Sequence, residues 1–139
     1  MKAYIDCEFN GFQGELISMA IVTESGDSWY EVLCCNDPVE WVEKNVIPVL
    51  YKEPISKIHM QSSLSKFINR YDELTIIADW PEDIKYFCEL IITGPGLCIK
   101  TPKLKFEIIS IGSMDEISEI PHNALSDAKA ISKSWSNIH

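Results

Sequence analysis

Positive charge is what this chain has least of. Twelve Lys and Arg stand against 21 Asp and Glu, a formal net charge of −9 over 139 residues. Proteins that grip long duplexes without sequence preference are usually basic, because phosphate neutralisation drives that binding. The balance therefore excludes a broad basic track for long DNA. It leaves a short, end-directed footprint in which divalent metals neutralise the site, or no nucleic acid at all. Long apolar runs are also missing: none reaches the roughly 20 residues of a membrane-spanning helix, so no membrane association is expected. Asp6 interrupts the N-terminus too early for a signal peptide. There is no CxxC pair among the five cysteines, Cys7, Cys34, Cys35, Cys88 and Cys98. Their odd number and apolar surroundings suit reduced, buried thiols of a cytoplasmic protein better than a disulfide framework. No local signature marks any of them as a nucleophile. Internal repeats and low-complexity tracts are absent too. What is present, 46% apolar and 24% charged residues, suits one globular domain spanning residues 1–139.

The order of elements is informative. Residues 2–7 read as a first strand, 15–23 as a second rich in β-branched residues, and 28–35 as a third after the Ser25-Gly26-Asp27 turn. This predicts an antiparallel meander. The period then changes. Asp37-Pro38-Val39-Glu40 has a capping Asp, Pro at the first helical position and Glu three residues after the cap, and Val39, Val42, Val46 and Val49 or Leu50 follow at helical spacing. Ser62 or Ser63 is expected to cap a second helix, with Leu64, Phe67, Ile68 and Tyr71 on one face. Residues 74–78 suit a strand buried on both faces. A helix follows with Ile84, Phe87, Cys88 and Ile91 in phase. Residues 97–100 and 104–111 are strand-like, and a last helix runs from about Ala124 to Trp135. Three strands followed by strand–helix alternation predict an α/β fold with a mixed sheet flanked by helices.

Three segments carry chemistry. Asp6 and Glu8 stand two apart at the end of the first strand, so both carboxylates point to one side while Cys7 points to the other. On a central strand they would repel each other unless a divalent cation relieved the repulsion, and hard cations such as Mg²⁺ take carboxylate oxygens. His122-Asn123-Ala124-Leu125-Ser126-Asp127 opens the last helix, with Asn123 as N-cap. His122 before the helix and Asp127 in its second turn can face the same sheet end; the alternative for Asp127 is dipole stabilisation near a helix N-terminus. His59 has no acidic constellation near it, and His139 is the final residue. Asp79-Trp80-Pro81-Glu82-Asp83 lies at a strand-to-helix junction, where ligands bind in open α/β sheets. Asp79 can equally be a helix cap with Glu82 three residues on.

Taken together, Asp6-x-Glu8, Asp83 followed by Ile-Lys-Tyr-Phe, and His122 five residues before Asp127 resemble the DEDDh family of 3′→5′ exonucleases on the ribonuclease H-like fold. The stretches Asp6-Cys7-Glu8-Phe9 and Glu15-Leu16-Ile17-Ser18 look like those of the small bacterial and phage exoribonucleases similar to mycobacterial RNase AS. The resemblance implies two divalent ions, Mg²⁺ or Mn²⁺, held by Asp6, Glu8, Asp83 and Asp127, with His122 as general base. It implies hydrolysis of single-stranded RNA 3′ ends to nucleoside 5′-monophosphates, and possible homodimers. Many family members carry Asn and small residues where this chain has Asp79-Trp80-Pro81, so Asp79 competes with Asp83 for the ligand role. Phe9 stacks on a terminal base or packs in the core, and Glu15 touches substrate or merely begins a strand. A deoxyribonuclease of the same family and a non-cleaving nucleotide- or partner-binding domain are the competing expectations.

Overall fold

The first strand is the middle of the molecule. The computed structural model describes residues 1–109 and 118–138. Strands β1 (Lys2–Phe9), β2 (Leu16–Thr23) and β3 (Ser28–Val32) form the antiparallel meander. Helix α1 (Glu40–Asn45), a 3₁₀ turn (Ile47–Val49) and helix α2 (Lys57–Ile68) lead to strand β4 (Glu73–Ala78). Helix α3 (Pro81–Ile91), a small hairpin of β5 (Ile92–Gly94) and β6 (Leu97–Cys98), strand β7 (Lys103–Ile108) and helix α4 (Ala124–Ile138) complete the described chain. The main sheet runs β3-β2-β1-β4-β7, with β4 and β7 parallel to their neighbours. The fold is α/β, a five-stranded mixed sheet flanked by helices.

Alternation along β1 divides the core in two. Ala3, Ile5 and Cys7 point towards α2 and α3, among Met19, Ile21, Leu64, Ile76 and Phe87. Tyr4 points the other way, onto Ile77, Ile109 and Ile131 beneath α4. Ala20 and Val22 of β2 meet Ala124 and Ala128, small residues that let α4 lie close to the sheet. Asp6 and Glu8 continue the Tyr4 side by the two-residue period. They therefore emerge towards the N-terminus of α4.

Several helix starts differ from the sequence expectation. Asp37 and Pro38 do not open α1, which begins at Glu40. The Asn10 side chain takes over instead, accepting from the Val39 amide and donating to the Asp37 carbonyl. A long-range tether thus replaces the local cap. Helix α2 begins at Lys57, capped by Ser56 through the His59 amide, so Ser62 and Ser63 lie inside it. In α3 the expected Phe87 is buried and Ile84, Cys88 and Ile91 pack half-buried against the core, while Asp83, Tyr86 and Leu90 are the other buried residues, because the acid is drawn inward. The third strand stops at Val32 rather than residue 35. The expected strand over 104–111 is seen to Ile108, and its last two positions lie outside the described residues. All five cysteines are free, but only Cys7 is buried; Cys34, beyond the end of β3, and Cys98, in the short exposed β6, are exposed.

The N-cap expectation at Asn123 holds. Its Oδ1 accepts from the Ser126 amide at 3.0 Å, and its Nδ2 donates to the Val49 carbonyl at 2.8 Å. One buried side chain thus ends a helix and ties it to the turn after α1. Asn123→Ala should lower stability by about 2 kcal/mol, combining a lost cap with an unpaired carbonyl. The measurement is urea denaturation, with a lower midpoint and unchanged slope expected.

Candidate metal centre

β1 outruns its parallel neighbour. It pairs with β4 only over Lys2 to Tyr4 and then continues to Phe9 beside β2. The amide of Cys7 is left facing the gap, and the Asp83 carboxylate accepts from it at 3.1 Å. Asp83, a buried acid in the first turn of α3, is thereby anchored beside the last residues of β1. Asp79 follows directly from the end of β4. Asp127 comes from the opposite face of the sheet, in the first turn of α4 rather than the second. The left-handed backbone of His122 (φ 71°) directs its amide back onto Asp127 Oδ2 at 3.2 Å. A non-glycine residue in that conformation costs about 1–2 kcal/mol, and the Asp127 contact helps hold it.

These carboxylates form two overlapping groups. Ligand-capable oxygens of Asp6, Glu8 and Asp127 lie within 4.8 Å of one another, and so do those of Asp6, Asp79 and Asp83. Asp6 belongs to both. Asp79 and Asp83 are therefore not alternatives in space. The capping alternative for Asp79 does not hold either: Trp80 is the N-cap of α3 and no side chain caps it.

Electrostatics in the site are unbalanced. None of the Lys or Arg ion pairs among the described residues involves any of the five acids. Burial, reinforced by the charges of Asp83, Glu8, Asp127 and Asp79, raises Asp6 well above the ordinary carboxylate range. Burial and then Asp127 push Glu8 up to about 8, and burial and then Asp79 push Asp83 up to about 8. Burial also raises Asp79 and Asp127, the latter offset by hydrogen bonds from Ser118, Glu8 and the His122 amide. Glu8 and Asp127 are within hydrogen-bonding reach of each other, where two ionised carboxylates repel. Asp6 Oδ2 is shut off from solvent without a hydrogen-bond partner, and so is Ser18 Oγ, opposite Glu8 in the β1–β2 register. All-oxygen donors, excess negative charge and an orphaned buried oxygen fit hard divalent cations such as Mg²⁺ or Mn²⁺.

Aromatic side chains stand beside the acids. A cavity of about 290 Å³ is lined by Glu8, Phe9, Gly11, Phe12, Trp41, Val42 and Glu82. Phe9 has one face on Tyr86, with centroids 4.7 Å apart, and also lines this cavity, so packing and access coexist. Phe12 is 84% exposed and Trp41 54%. The Trp41 ring meets the His122 imidazole edge-on at 4.9 Å. Sequence reasoning missed both residues, although each carried a signal. Phe12 sits in a turn-forming stretch where a large ring finds no core. Trp41 falls off the Val42–Val46 stripe of its helix. Glu15 is exposed and lines a separate cavity of about 580 Å³ with Leu33, Ile55 and Leu90, whose lining contains none of the five acids.

No protein-family model matches the chain, and no curated protein matches it either. Among the described residues, no helix is long and apolar enough to cross a membrane.

The raised carboxyls fix the sign of a pH effect. The folded protein binds protons that the unfolded chain has released, so metal-free stability should fall as pH rises from about 4 towards 8. Divalent cations that replace those protons should restore it. Melting in Mg²⁺ against EDTA should differ by on the order of 5–10 °C at pH 8.5 and by far less at pH 5. Equal melting temperatures at both pH values would remove the metal reading.

Proposed function

We propose that the protein is a metal-dependent 3′→5′ exoribonuclease of ribonuclease H-like architecture, releasing nucleoside 5′-monophosphates from single-stranded RNA ends. The observation that carries this reading is Asp6 shared between two carboxylate groups at the parting of β1 and β4. Such sharing suits a pair of cations. The 3′ direction and the RNA substrate are supported by the resemblance of Asp6-x-Glu8, Asp83 and His122-x₄-Asp127 to the DEDDh exonucleases.

Asp6, Glu8, Asp83 and Asp127 would hold the cations. When bound, two divalent ions stabilise the attacking and leaving oxygens of an in-line displacement at phosphorus. His122 would accept the proton of the attacking water, a role that suits imidazole because it ordinarily titrates near neutrality. The Asp127 carboxylate fixes the His122 backbone, and Trp41 fixes its ring. Phe9, Phe12 and Trp41 offer apolar faces on which a terminal base would stack, which is how proteins hold single strands without reading sequence. The scarcity of basic residues agrees with a grip on a few nucleotides at an end rather than along a track.

The test is incubation of matched 5′-labelled RNA and DNA oligonucleotides with Mg²⁺, Mn²⁺ or EDTA. Metal-dependent shortening from the 3′ end, with RNA preferred, is expected. Preference for DNA would reassign the polymer, and no shortening of either would overturn the reading. Asp6→Ala and Asp127→Ala should abolish turnover with the fold retained. His122→Ala should slow kcat by about 10²–10⁴-fold. Trp41→Ala should raise KM by about tenfold, through lost stacking, and should also lower kcat if the ring positions His122.

A further inference from the structure

Asp79 is an acid that the four-carboxylate pattern does not need. It leaves β4 at the bottom of the cleft and lies half-buried beside Asp6 and Asp83. Nothing structural consumes its charge. It does not cap α3, and it takes part in no ion pair among the described residues. Its local hydrogen bond is to its own backbone amide. A solvated acid at a helix start would be unremarkable, but this one shares a 4.8 Å cluster with Asp6, whose Oδ2 is buried and unpartnered. That orphaned oxygen is the second observation pointing to a missing partner. Asp83 in the same group has one oxygen already anchored by the Cys7 amide, which holds it in place as a ligand but limits what it can offer alone.

We infer that Asp79 is a cation ligand in its own right, completing with Asp6 and Asp83 a three-carboxylate site for one divalent ion, while Asp6, Glu8 and Asp127 hold the other. The inference rests on the metal-site reading proposed above and extends it from four carboxylates to five. Two divalent cations bring four positive charges to five negative ones. With Asp79 each ion has three carboxylates, Asp6 being common to both groups, and each carboxylate displaces a water from a hard cation. The ion held by Asp79 should bind more tightly than the same ion would with two carboxylates and water.

The experiment is Mn²⁺ titration of the full chain by calorimetry, with electron paramagnetic resonance to count free Mn²⁺, in the absence of nucleic acid. Wild type should bind two ions. Asp79→Asn, nearly isosteric, should weaken one of them tenfold or more and leave the other within about twofold. Asp127→Asn should weaken the opposite one. Melting in EDTA checks folding, and Asp79→Asn should melt no lower than wild type because a repelling charge is gone. Should it fail to fold, Asp79→Ser is titrated in its place. Two ions bound to Asp79→Asn at wild-type affinity would overturn the inference while leaving the four-carboxylate site intact. No Mn²⁺ bound to wild type at millimolar concentration would overturn both. Two ions bound without cleavage of either oligonucleotide would overturn the proposed activity and leave the Asp79 assignment standing.

Discussion

Like-charge repulsion between partly buried carboxylates governs this structure. Asp6, Glu8, Asp79, Asp83 and Asp127 meet at one end of the sheet with no lysine or arginine paired to them among the described residues. Each pKa unit of upward shift corresponds to about 1.4 kcal/mol, so the cluster opposes folding whenever it is ionised. The rest of the molecule must hold it together. The Cys7 amide and the His122 backbone amide each offset a part of it. A cluster this frustrated is a poor stability device, and its all-oxygen donors are the kind that hard cations take.

The scaffold that withstands this repulsion is the two-sided core. Each face of the sheet supplies part of the cluster. From the α2–α3 side, Phe87 and Leu90 are buried in the helix that carries Asp83. From the other side, Ala124, Ala128 and Ile131 seat the helix that carries Asp127. Because β1 is central and longer than its parallel contact with β4, its last residues lie between both helices. Asn10 and Asn123 perform the same service for the aromatic flank. They lock α1 and the turn after it to the end of β1 and the start of α4, which sets Trp41 against His122.

Much of this was legible along the chain, and the failures have physical causes. The meander, the buried fourth strand and the last helix follow from local alternation and periodicity, which depend on neighbours two to four residues away. Asp6 with Glu8 on one side and Cys7 on the other follows from the strand period alone. The start of α1 was misread because its amides are satisfied by Asn10, 29 residues from Val39. In α3 the apolar period placed Phe87 correctly but did not show that Asp83, Tyr86 and Leu90 would be the buried residues beside it, because the Cys7 amide that holds Asp83 is 76 residues away. Cys34, Cys35 and Cys98 escape burial at or beyond strand ends, and Cys88 is half-buried on the flank of α3, which apolar neighbours in sequence do not reveal. Phe12 and Trp41, 29 residues apart in sequence, are brought together only by the cavity beside Glu8 that both line.

By itself, the sequence determined that acids would gather at one sheet end, since strand period and helix-start position place Asp6, Glu8 and Asp127 on converging faces. It also determined that the surface is too acidic for a broad nucleic-acid track. Only the tertiary structure decided how the acids are shared. Whether Asp79 or Asp83 joins Asp6 is a matter of a few ångströms between the end of β4 and the first turn of α3. That distance depends on where β1 and β4 part, a long-range consequence of packing that no local spacing encodes, and the structure brings in both.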